Sequence, residues 1–373
     1  MKLLYIADAN SIHTQRWVNP FVAQGEQVHI VAYKPVQRAW PGTTVIDLTR
    51  LYNAPKVRFL VWGIWLWRYV RQVWPDIVHA QQIQAAGWLG FMADYHPFVI
   101  SAWGSDLLIE PHKSPLRRAL LQLVLRRCDR LTVPSALLYR AARELGMPEH
   151  KLALIPWGID TTVFRPEPDD RTVTRQELGI PPGAHVVFCP RAVAPVYNLD
   201  VVVAAIQLMK VARPDVRLLF LRYNAEPTYL ARLQAQIEAA GISSQVLWLP
   251  PQPEPAGMAR LYRMADVMVS VPSQEGYGLS VYEAMACGCP TVISDLPLFA
   301  GALADGAQTI KAPLGDAAAT AAALQRVLQD ATLAARLRQA GLELVQQHSV
   351  AYRVAETTRL YDEVRALRKE RRA

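Results

Sequence analysis

The sequence predicts an α/β protein built from two doubly wound domains, each with a parallel sheet between layers of helices. Three observations predict this class: a length of 373 residues, a composition that is 51% apolar and 19% charged, and apolar runs that alternate with amphipathic stretches in both halves. A chain of this length suits two domains of about 150–200 residues each. Strands that alternate with helices at this spacing indicate βαβ units and therefore parallel strand pairing.

The first half contains apolar runs of strand length. They predict strands at Leu3–Ala7, Val28–Tyr33, Asp76–Ala80, Phe98–Ala102, Leu131–Pro134 and Leu152–Pro156. The amphipathic stretches between these runs predict helices near 14–24, 56–73, 84–95, 114–128 and 136–145.

The second half repeats the alternation after a Pro-rich interruption near 166–183, which predicts a linker followed by a short helix. Strands are predicted at Val186–Pro190, Val216–Leu221, Val246–Leu249, Val267–Val271 and Thr291–Ser294, and helices near 199–212, 226–240, 256–264 and 316–347. Two Rossmann-like domains, 1–166 and 167–349, are expected to face each other across a cleft. Ligands of such sheets bind at the carboxyl ends of the strands.

The cysteines and the apolar runs exclude several classes of protein. The four cysteines have no metal-ligand spacing, and Cys287-Gly288-Cys289 is too short for a C-x-x-C redox pair. Reduced thiols in a cytoplasmic protein are therefore expected. The apolar run at the N-terminus is too short for a secretory signal. The longest uncharged apolar run, Phe59–Trp67, has nine residues, whereas a membrane-spanning helix needs about 20.

The net charge of +8 is concentrated in the first half. Residues 1–160 contain 18 Lys and Arg against 11 Asp and Glu, a difference of +7, and the stretch from Arg365 to Arg372 adds five basic residues against Glu370. No nucleic-acid-binding motif accompanies this charge, so nucleic acid is not an expected partner. An anionic membrane surface or a phosphorylated acceptor is expected instead.

The stretch 272–290 contains the most informative motif. Glu275 and Glu283 stand eight residues apart, with Gly276 and Gly278 between them. The apolar run just before this stretch predicts a buried strand, and the residues after Gly278 predict a short helix. Backbone N–H groups at a helix start favour an anion such as a phosphate. An ionised carboxylate suits paired sugar hydroxyls, so the motif indicates a nucleotide sugar.

A Gly-containing turn after a strand is common in α/β proteins, and so is Glu on a helix. The whole string, however, resembles the Glu-x7-Glu signature of the retaining glycosyltransferases of family 4, the group 1 glycosyl transferases of the GT-B fold. The segment 155–166 is similar to the family's IPNG-[VI]-D…F-x-P segment, with Trp157 in place of Asn. The resemblance implies an acceptor domain, 1–166, completed by a C-terminal helix of about 350–373, and a donor domain, 167–349.

The resemblance also implies roles for residues on the donor side. Glu283 is similar to the glutamate that binds the ribose hydroxyls, and Glu275 to the one that meets the transferred sugar. Backbone N–H groups would face the sugar and the diphosphate at Gly276, Tyr277, Gly278 and Leu279.

Arg191, after the strand Val186–Pro190, is the predicted cation for the leaving diphosphate and is catalytic together with Glu275. The family usually has a Lys a few residues later, and this Lys is missing here. The predicted substitutes are the polar groups of Tyr197 and Asn198, or the cations Arg222 and Lys311. The alternative for Arg191 is a surface ion pair with Asp200.

On the acceptor or phosphate side, Trp103 stands where the family commonly has a His. Its indole N–H donates a hydrogen bond but cannot transfer a proton. Asp106 either caps the helix that follows or reaches an acceptor hydroxyl. His13 and Arg16 stand where the family often has a Gly-rich loop, and a solvent-facing His13 is the alternative. His79 is predicted to face the core.

No cofactor is expected, because the nucleotide sugar is a substrate. No Asp-x-Asp stands at a strand end and no His/Asp cluster has metal-ligand spacing, so the reaction is expected to need no metal. The family retains the anomeric configuration, which implies same-face attack assisted by the leaving phosphate. We expect neither a covalent glycosyl–enzyme nor a glycosidase-type acid pair.

Two basic stretches, 56–71 and 115–127, combine arginines with Trp or Leu. Helices that lie in a bilayer interface share this composition. In that interpretation the protein is peripheral on the inner face of the plasma membrane, and the acceptor is a lipid-linked sugar. The competing interpretation is that both helices cover the sheet and bury their apolar faces in the core.

Two rival functions remain open from the sequence. A GT-B protein without activity that binds a nucleotide or a partner is suggested by Trp103 and by the missing Lys after Arg191. A nucleotide-sugar epimerase would alter the donor without an acceptor, and Glu275 argues against it. The base, the sugar and the acceptor are not predicted; a glycan or a lipid-linked intermediate is the expected class of acceptor.

Overall fold

A computed structural model describes residues 1–55, 57–252 and 254–370, and side chains through Ala366. Lys56, at the start of the basic stretch 56–71, and the side chains of the basic residues after Ala366 lie outside this description. The predicted contact of these basic residues with an anionic membrane surface or a phosphorylated acceptor stays a prediction.

The chain divides into two compact units. The N-terminal unit comprises Met1–Gly158 and the residues from Val350 on, and the C-terminal unit comprises Ile159–Ser349. The sequence analysis placed the division after residue 166. Ile159 belongs to the C-terminal unit because its backbone N–H donates to the carbonyl of His348 and it pairs with Ser349 as an isolated β-bridge.

The N-terminal unit has a seven-stranded sheet in the order β3-β2-β1-β4-β5-β6-β7, and every pair is parallel. Its strands are β1 (Lys2–Ala7), β2 (Gln27–Ala32), β3 (Thr43–Asp47), β4 (Ile77–Gln81), β5 (Phe98–Ser101), β6 (Arg130–Val133) and β7 (Leu152–Leu154). Its helices are α1 (Ile12–Ala23), α2 (Leu48–Leu51), α3 (Arg58–Val73), α4 (Ala85–Ala93), α5 (Ser105–Leu108), α6 (Pro115–Arg127), α7 (Ala136–Glu144) and α15 (Val350–Glu370).

Helices cover both faces of this sheet, because its strands are apolar on both sides. Alternate residues of β1 join two separate core clusters. On one face, α3, α4 and α6 pack against the sheet through Trp62, Leu89 and Leu121, among others. On the other face, α1 and α15 do so through residues that include Phe21 and Tyr361.

His79 lies in the core, as predicted, and links α15 to the sheet. Its Nδ1 atom is 2.6 Å from the hydroxyl of Tyr361, and its Nε2 atom is 2.8 Å from the hydroxyl of Ser101. Tyr361 in turn lies 3.1 Å from the hydroxyl of Tyr5 on β1. Burial lowers the pKa of His79 to about 3, so the ring is neutral in the folded protein near neutral pH.

Lowering the pH from 7 to 5 is expected to destabilise the N-terminal unit through His79. The unfolded chain takes up a proton near the ordinary histidine pKa of about 6.5, whereas the folded unit does not do so until about pH 3. The unfolded state therefore binds more protons over this interval, and the free energy of unfolding falls by about 2 kcal/mol for this one histidine. Urea unfolding at the two pH values measures the loss.

His79→Gln is the matched variant for this experiment, because Gln keeps hydrogen-bonding atoms but does not titrate. We expect it to be less stable than the wild type at pH 7 and to lose about 2 kcal/mol less between pH 7 and pH 5. The same pH dependence in both proteins would show that His79 is protonated in the folded state.

The C-terminal unit has a six-stranded parallel sheet in the order β10-β9-β8-β11-β12-β13. Its strands are β8 (His185–Cys189), β9 (Val216–Leu221), β10 (Val246–Leu249), β11 (Val267–Ser270), β12 (Thr291–Ser294) and β13 (Ile310–Ala312). Its helices are α8 (Pro168–Glu177), α9 (Leu199–Met209), α10 (Pro227–Ala239), α11 (Pro255–Met264), α12 (Leu279–Ala286), α13 (Ala317–Gln329) and α14 (Ala331–Gln346).

All predicted strands are present, and two further strands, β3 and β13, were missed. β3 is an edge strand of half-buried residues, and β13 has three residues, so neither forms an apolar run of strand length. The single helix predicted over 316–347 is wrong. Asp330 divides it, because its carboxylate accepts from the backbone N–H of Leu333 and thereby caps a new helix, α14.

No helix in the described parts of the chain is long and apolar enough to cross a membrane. All four cysteines are buried and free of disulfide bonds. Burial raises the pKa of Cys189 to about 12, so this thiol stays protonated near neutral pH.

Candidate active site

The carboxyl ends of β8 and β11 form the switch point of the C-terminal sheet. From this pair the strand order continues outward in opposite directions, through β9 to β10 on one side and through β12 to β13 on the other. Loops diverge at such a point and leave a crevice that binds ligands. Arg191 follows β8 and Glu275 follows β11, so the topology brings these two predicted residues together.

Arg191 makes three contacts in this crevice. Its guanidinium donates to a carboxylate oxygen of Glu275 at 2.5 Å and to the hydroxyl of Ser280 at 2.9 Å. The ring of Tyr197 lies 4.3 Å from the guanidinium carbon, a cation–π contact. The Nε atom of Arg191 is buried and has no hydrogen-bond acceptor among the described residues. An unmet donor in a ligand crevice is a group that an incoming anion satisfies.

The partner of Arg191 is not the one that the sequence suggested. The surface pair with Asp200 is wrong, because Asp200 accepts from the hydroxyl of Tyr229 at 2.7 Å and Arg191 pairs with Glu275. The side chain of Arg191 is only 11% exposed. Burial, the largest single effect, lowers its pKa, but the charge and hydrogen bond of Glu275 together with the smaller effects of Tyr197 and Cys189 outweigh burial, and the pKa is raised. The guanidinium therefore stays charged although it is largely removed from water.

Glu275 is fixed through both carboxylate oxygens. Oε2 accepts from Arg191, and Oε1 accepts from the backbone N–H of Gly276 at 2.9 Å. The carboxylate of a residue predicted to meet the transferred sugar is thus oriented by the loop that carries it. Ser280, which the sequence analysis did not single out, holds the other end of the guanidinium.

Glu283 lies in the second turn of α12 and is buried. Its Oε2 atom accepts from the hydroxyl of Tyr262 at 3.3 Å. Burial and the charge of Glu283 together raise the pKa of Tyr262 well above its ordinary value, so this hydroxyl remains a donor. Tyr262 was also missed by the sequence analysis, and it orients a carboxylate that is predicted to bind ribose hydroxyls.

The loop 276–279 leads into α12 through a glycine in the left-handed region. Gly278 has a φ of +82°, and no side chain caps the helix that begins at Leu279. The N–H groups of the first turn are therefore left without a side-chain acceptor at this end. Tyr277 turns its side chain into the unit, where its hydroxyl lies 2.8 Å from Nδ1 of His348. Only the backbone of Tyr277 remains for the predicted contact with the sugar or the diphosphate.

Three of the predicted substitutes for the missing Lys have contacts of their own. The amide nitrogen of Asn198 donates to the carbonyl of Val271 at 3.0 Å and so ties the loop after β8 to the end of β11. Arg222 is exposed and lies over the ring of Trp248 at 5.9 Å. Lys311, on the edge strand β13, forms an ion pair of 3.1 Å with the carboxylate of Asp295.

His13, Trp103 and Trp157 form an aromatic cluster in the N-terminal unit, beyond the carboxyl ends of β1, β5 and β7. The ring centroid of His13 lies 4.1 Å from that of Trp157 and 5.1 Å from that of Trp103. The solvent-facing alternative for His13 is therefore wrong. Burial and the nearby charge of Arg16 lower the pKa of His13 to about 3. Its Nδ1 atom and the Nε1 atom of Trp103 are buried without a hydrogen-bond partner among the described residues.

Asp106 stabilises the loop that carries Trp103. It is 1% exposed, and its carboxylate accepts from the backbone N–H groups of Trp103 at 3.1 Å and Gly104 at 2.8 Å. Burial raises the pKa of Asp106, although these backbone hydrogen bonds oppose the shift. Asp106 lies inside α5, and no side chain caps this helix, so the capping alternative is wrong. The contact of Asp106 with an acceptor hydroxyl stays a prediction.

Arg16 lies one turn after His13 on α1. Both line a small cavity, which also borders Trp157, Arg353 and Thr357. The N-terminal unit thus presents a neutral aromatic cluster beside the arginine that was predicted to contact an acceptor or a phosphate. Trp157, noted in the sequence only as a departure from the family pattern, is part of this cluster.

Across the described residues, no group of three or more His, Cys, Asp or Glu side chains is placed to hold a metal ion. The expectation that the reaction needs no metal ion stays a prediction.

Two family models match the chain in separate regions. The model of the glycosyl transferases group 1 matches residues 170–344, which contain Arg191, Glu275 and Glu283. The model of the glycosyl transferase 4-like proteins matches residues 2–135, which contain His13 and Trp103. Together they account for most of both units.

Curated relatives show similarity over part of their length. The chain is 35% identical over 242 residues to the D-inositol 3-phosphate glycosyltransferase of Nocardia farcinica, which is 63% of this chain and 51% of the relative. It is 34% identical over 199 residues to the protein of the same name from Mycobacterium tuberculosis, 52% of this chain and 39% of the relative. The chain thus spans about half or less of the length of these two relatives.

Solved structures share the fold over nearly the whole chain. Anabaena Alr3699/HepE in complex with UDP and glucose superposes with a TM-score of 0.82 at 17% identity, over 97% of this chain and 100% of that one. The sucrose-phosphate synthase tll1590 of Thermosynechococcus elongatus gives a TM-score of 0.83 at 20% identity, over 98% and 100%. At these identities the likeness concerns the fold alone.

Proposed function

Because the chain belongs to the group 1 glycosyl transferases and has their GT-B fold, we propose that it transfers a sugar from a nucleotide-sugar donor to a glycan or a lipid-linked acceptor. The C-terminal unit binds the donor and the N-terminal unit binds the acceptor. One observation carries the proposal: a largely buried arginine with an unmet donor, Arg191, lies beside the start of α12 at the switch point of a parallel sheet.

The leaving diphosphate determines where this reaction needs positive charge and hydrogen-bond donors. When the bond to the sugar breaks, negative charge develops on the diphosphate, and donors placed there in advance lower the barrier. Arg191 supplies a charge that is already fixed by Ser280 and Glu275. The first turn of α12 supplies N–H groups without a capping side chain. The missing Lys leaves Arg191 as the principal cation of this site in our proposal.

The two glutamates divide the recognition of the donor. Glu283, held by Tyr262, accepts hydrogen bonds from the ribose hydroxyls, and Glu275, held by Arg191 and Gly276, meets the transferred sugar. Neither is proposed as a nucleophile, so no covalent glycosyl–enzyme forms. The sugar is attacked on the face that the phosphate leaves, which retains the anomeric configuration, and no divalent metal is required.

The acceptor side is proposed to be the aromatic cluster with Arg16. Aromatic faces suit the C–H surface of a sugar ring, and the unpartnered nitrogen atoms of His13 and Trp103 offer hydrogen bonds to it. The D-inositol 3-phosphate named for the curated relatives supports trying a phosphorylated acceptor first. Arg16 then binds the phosphate of this acceptor.

The donor is tested by thermal stabilisation with UDP, GDP, ADP and their common sugars. One nucleotide is expected to raise the Tm of the wild type, because a ligand that binds only the folded state stabilises it. UDP comes first, since Anabaena Alr3699/HepE binds UDP and glucose. Glu283→Gln, which removes a charged acceptor of ribose hydroxyls, is expected to weaken binding about tenfold or more.

Tyr262→Phe is the control for this variant, because it removes the hydrogen bond that Tyr262 donates to Glu283 and leaves the carboxylate in place. We expect it to bind the nucleotide more tightly than Glu283→Gln does. Two further measurements test the rest of the proposal. Turnover of the donor in the presence of EDTA tests whether the reaction needs a metal ion. NMR of the product shows whether the anomeric configuration is retained. No stabilisation by any nucleotide, or an inverted product, would refute the corresponding part of the proposal.

A further inference from the structure

The outward side of α3 is apolar, although its inward side already fills the core. Trp62, Leu66 and Val70 are buried against the sheet. The opposite side of the same helix exposes Leu60, Val61, Ile64 and Trp67. Their spacing of three to four residues places them in one stripe along the helix. α3 is therefore apolar on two sides, which the need to cover a sheet does not explain.

α6 repeats this arrangement on the same side of the sheet. Its buried residues, such as Leu121 and Leu125, belong to the core cluster that also contains the inward residues of α3. Its outward residues include Leu116, Leu120 and Leu123, of which Leu116 is 68% exposed. α4 lies between the two helices and packs against both. Two exposed apolar stripes thus share one face of the N-terminal unit.

All the charges on these two helices are positive. Neither α3 nor α6 contains an Asp or a Glu. Their cations are Arg58, Arg68, Arg71, Arg117, Arg118, Arg126 and Arg127. α10 of the C-terminal unit shows the ordinary pattern, because its exposed positions hold polar and small residues, including Arg232, Gln234 and Glu238. We call the exposed residues of α3 and α6 the apolar–arginine face.

Several of these arginines are positioned at the ends of the helices. Arg71 stacks on the ring of Trp67 at 4.2 Å and donates to the carbonyl of Ala93 at 3.0 Å. Arg127 forms an ion pair with Asp94, at the end of α4. Arg68 and Arg126 are exposed beside the apolar stripes. The face therefore combines apolar side chains with cations at its rim.

We infer that the apolar–arginine face docks on the surface of an anionic lipid bilayer. Leu, Ile and Trp side chains enter the boundary between headgroups and acyl chains, and the arginines meet the lipid phosphates. This inference stands apart from the reaction proposed above, since it rests on the outer surface of two helices and not on the donor or acceptor residues. It adds a surface that would bring the enzyme to a lipid-linked acceptor.

Charge argues against a second copy of the chain as the occupant. A twofold interface places the same patch of both subunits against each other. Here that arrangement would set the arginines of one apolar–arginine face against those of the other, and like charges in contact oppose association. An anionic bilayer complements both features, because it presents an apolar interior below negative headgroups.

Vesicle flotation with the full chain tests the inference. The wild type is expected to float with vesicles of about one third phosphatidylglycerol and two thirds phosphatidylcholine, and to stay in solution with phosphatidylcholine alone. Ile64→Glu combined with Leu120→Glu should weaken binding to the anionic vesicles about tenfold or more, because both apolar stripes then carry a charge. Arg68→Gln combined with Arg126→Gln should weaken it in a salt-dependent way.

Leu208→Glu combined with Val211→Glu is the matched control. These residues are exposed apolar side chains of the C-terminal unit, at 60% and 93% exposure, and the variant makes the same change in charge. It is expected to bind vesicles within about twofold of the wild type. An unchanged Tm and unchanged nucleotide binding show that each variant is folded.

Three results would overturn the inference. The first is a wild type that does not float with the anionic vesicles. The second is equal weakening by the control and by the Ile64→Glu, Leu120→Glu variant. The third is a dimer in size-exclusion chromatography that this variant alone converts to a monomer, because the face would then be a protein interface.

Discussion

Replacing Arg191 with alanine is expected to lower the rate of donor turnover by about 10²–10³-fold, as the loss of one donor to a developing oxyanion does in other enzymes. The fall should appear in kcat as well as in kcat/KM, because the diphosphate gains negative charge as the sugar leaves. Steady-state kinetics with the donor found by thermal stabilisation measures it. The missing Lys makes the effect large, since no second family cation follows Arg191 in the sequence.

Arg191→Ala should also destabilise the C-terminal unit, by about 2–3 kcal/mol, because it leaves the carboxylate of Glu275 largely buried without its guanidinium. Arg232→Ala is the control, since Arg232 also lies over a tyrosine ring, that of Tyr229 at 5.0 Å, but on α10. We expect this control to change kcat by less than about threefold. A loss of less than tenfold in Arg191→Ala would assign the leaving charge to another group.

Gly278→Ala is expected to destabilise the C-terminal unit by about 3 kcal/mol and to abolish measurable nucleotide stabilisation. Gly278 has a φ of +82°, and an added Cβ atom would lie 2.8 Å from two ring atoms of Phe299. Relief of that contact moves the start of α12, and with it the N–H groups proposed for the diphosphate. Chemical unfolding and the Tm shift with nucleotide measure the two effects.

Gly301→Ala is the control for this variant, because it introduces backbone strain without a close contact at the added Cβ atom. Gly301 has a φ of +76° and nothing within 4 Å of an added Cβ atom, so it loses stability only through its backbone, by about 1 kcal/mol. It should bind nucleotide as the wild type does. If Gly278→Ala retained full nucleotide binding, the start of α12 would not be part of the donor site.

The strands and most helices were predictable because their signals are local. Apolar runs of strand length mark every strand except β3 and β13, which are too short or too polar to form one. The break at Asp330 depends on a single capping hydrogen bond. In the sequence this residue resembles any other acid on a long helix.

The sequence predicted individual residues of the candidate site, but it did not predict which of them contact each other. Glu275 and Glu283 stand in one motif, whereas Arg191 lies in the loop after the neighbouring strand, β8. The choice of Glu275 over Asp200 as its partner depends on which strands are adjacent. Tyr262 carries no motif, so its contact with Glu283 appears only in the fold.

Two departures from the family pattern proved to be neighbours in space. Trp103 replaces a His and Trp157 replaces an Asn, and the sequence analysis treated each by itself. Their ring centroids lie 6.2 Å apart, and both contact the ring of His13. The loops after different strands meet at the same edge of a parallel sheet, so the two changes belong to one cluster.

The path of the chain through its two units sets an order for biosynthesis. The C-terminal unit is one continuous stretch, Ile159–Ser349, whereas the N-terminal unit needs α15, whose Tyr361 packs into its core beside Tyr5. A ribosome delivers residues from the N-terminus onward. The unit that begins first therefore finishes last, and one face of its sheet is covered only in part, by α1, until α15 has emerged.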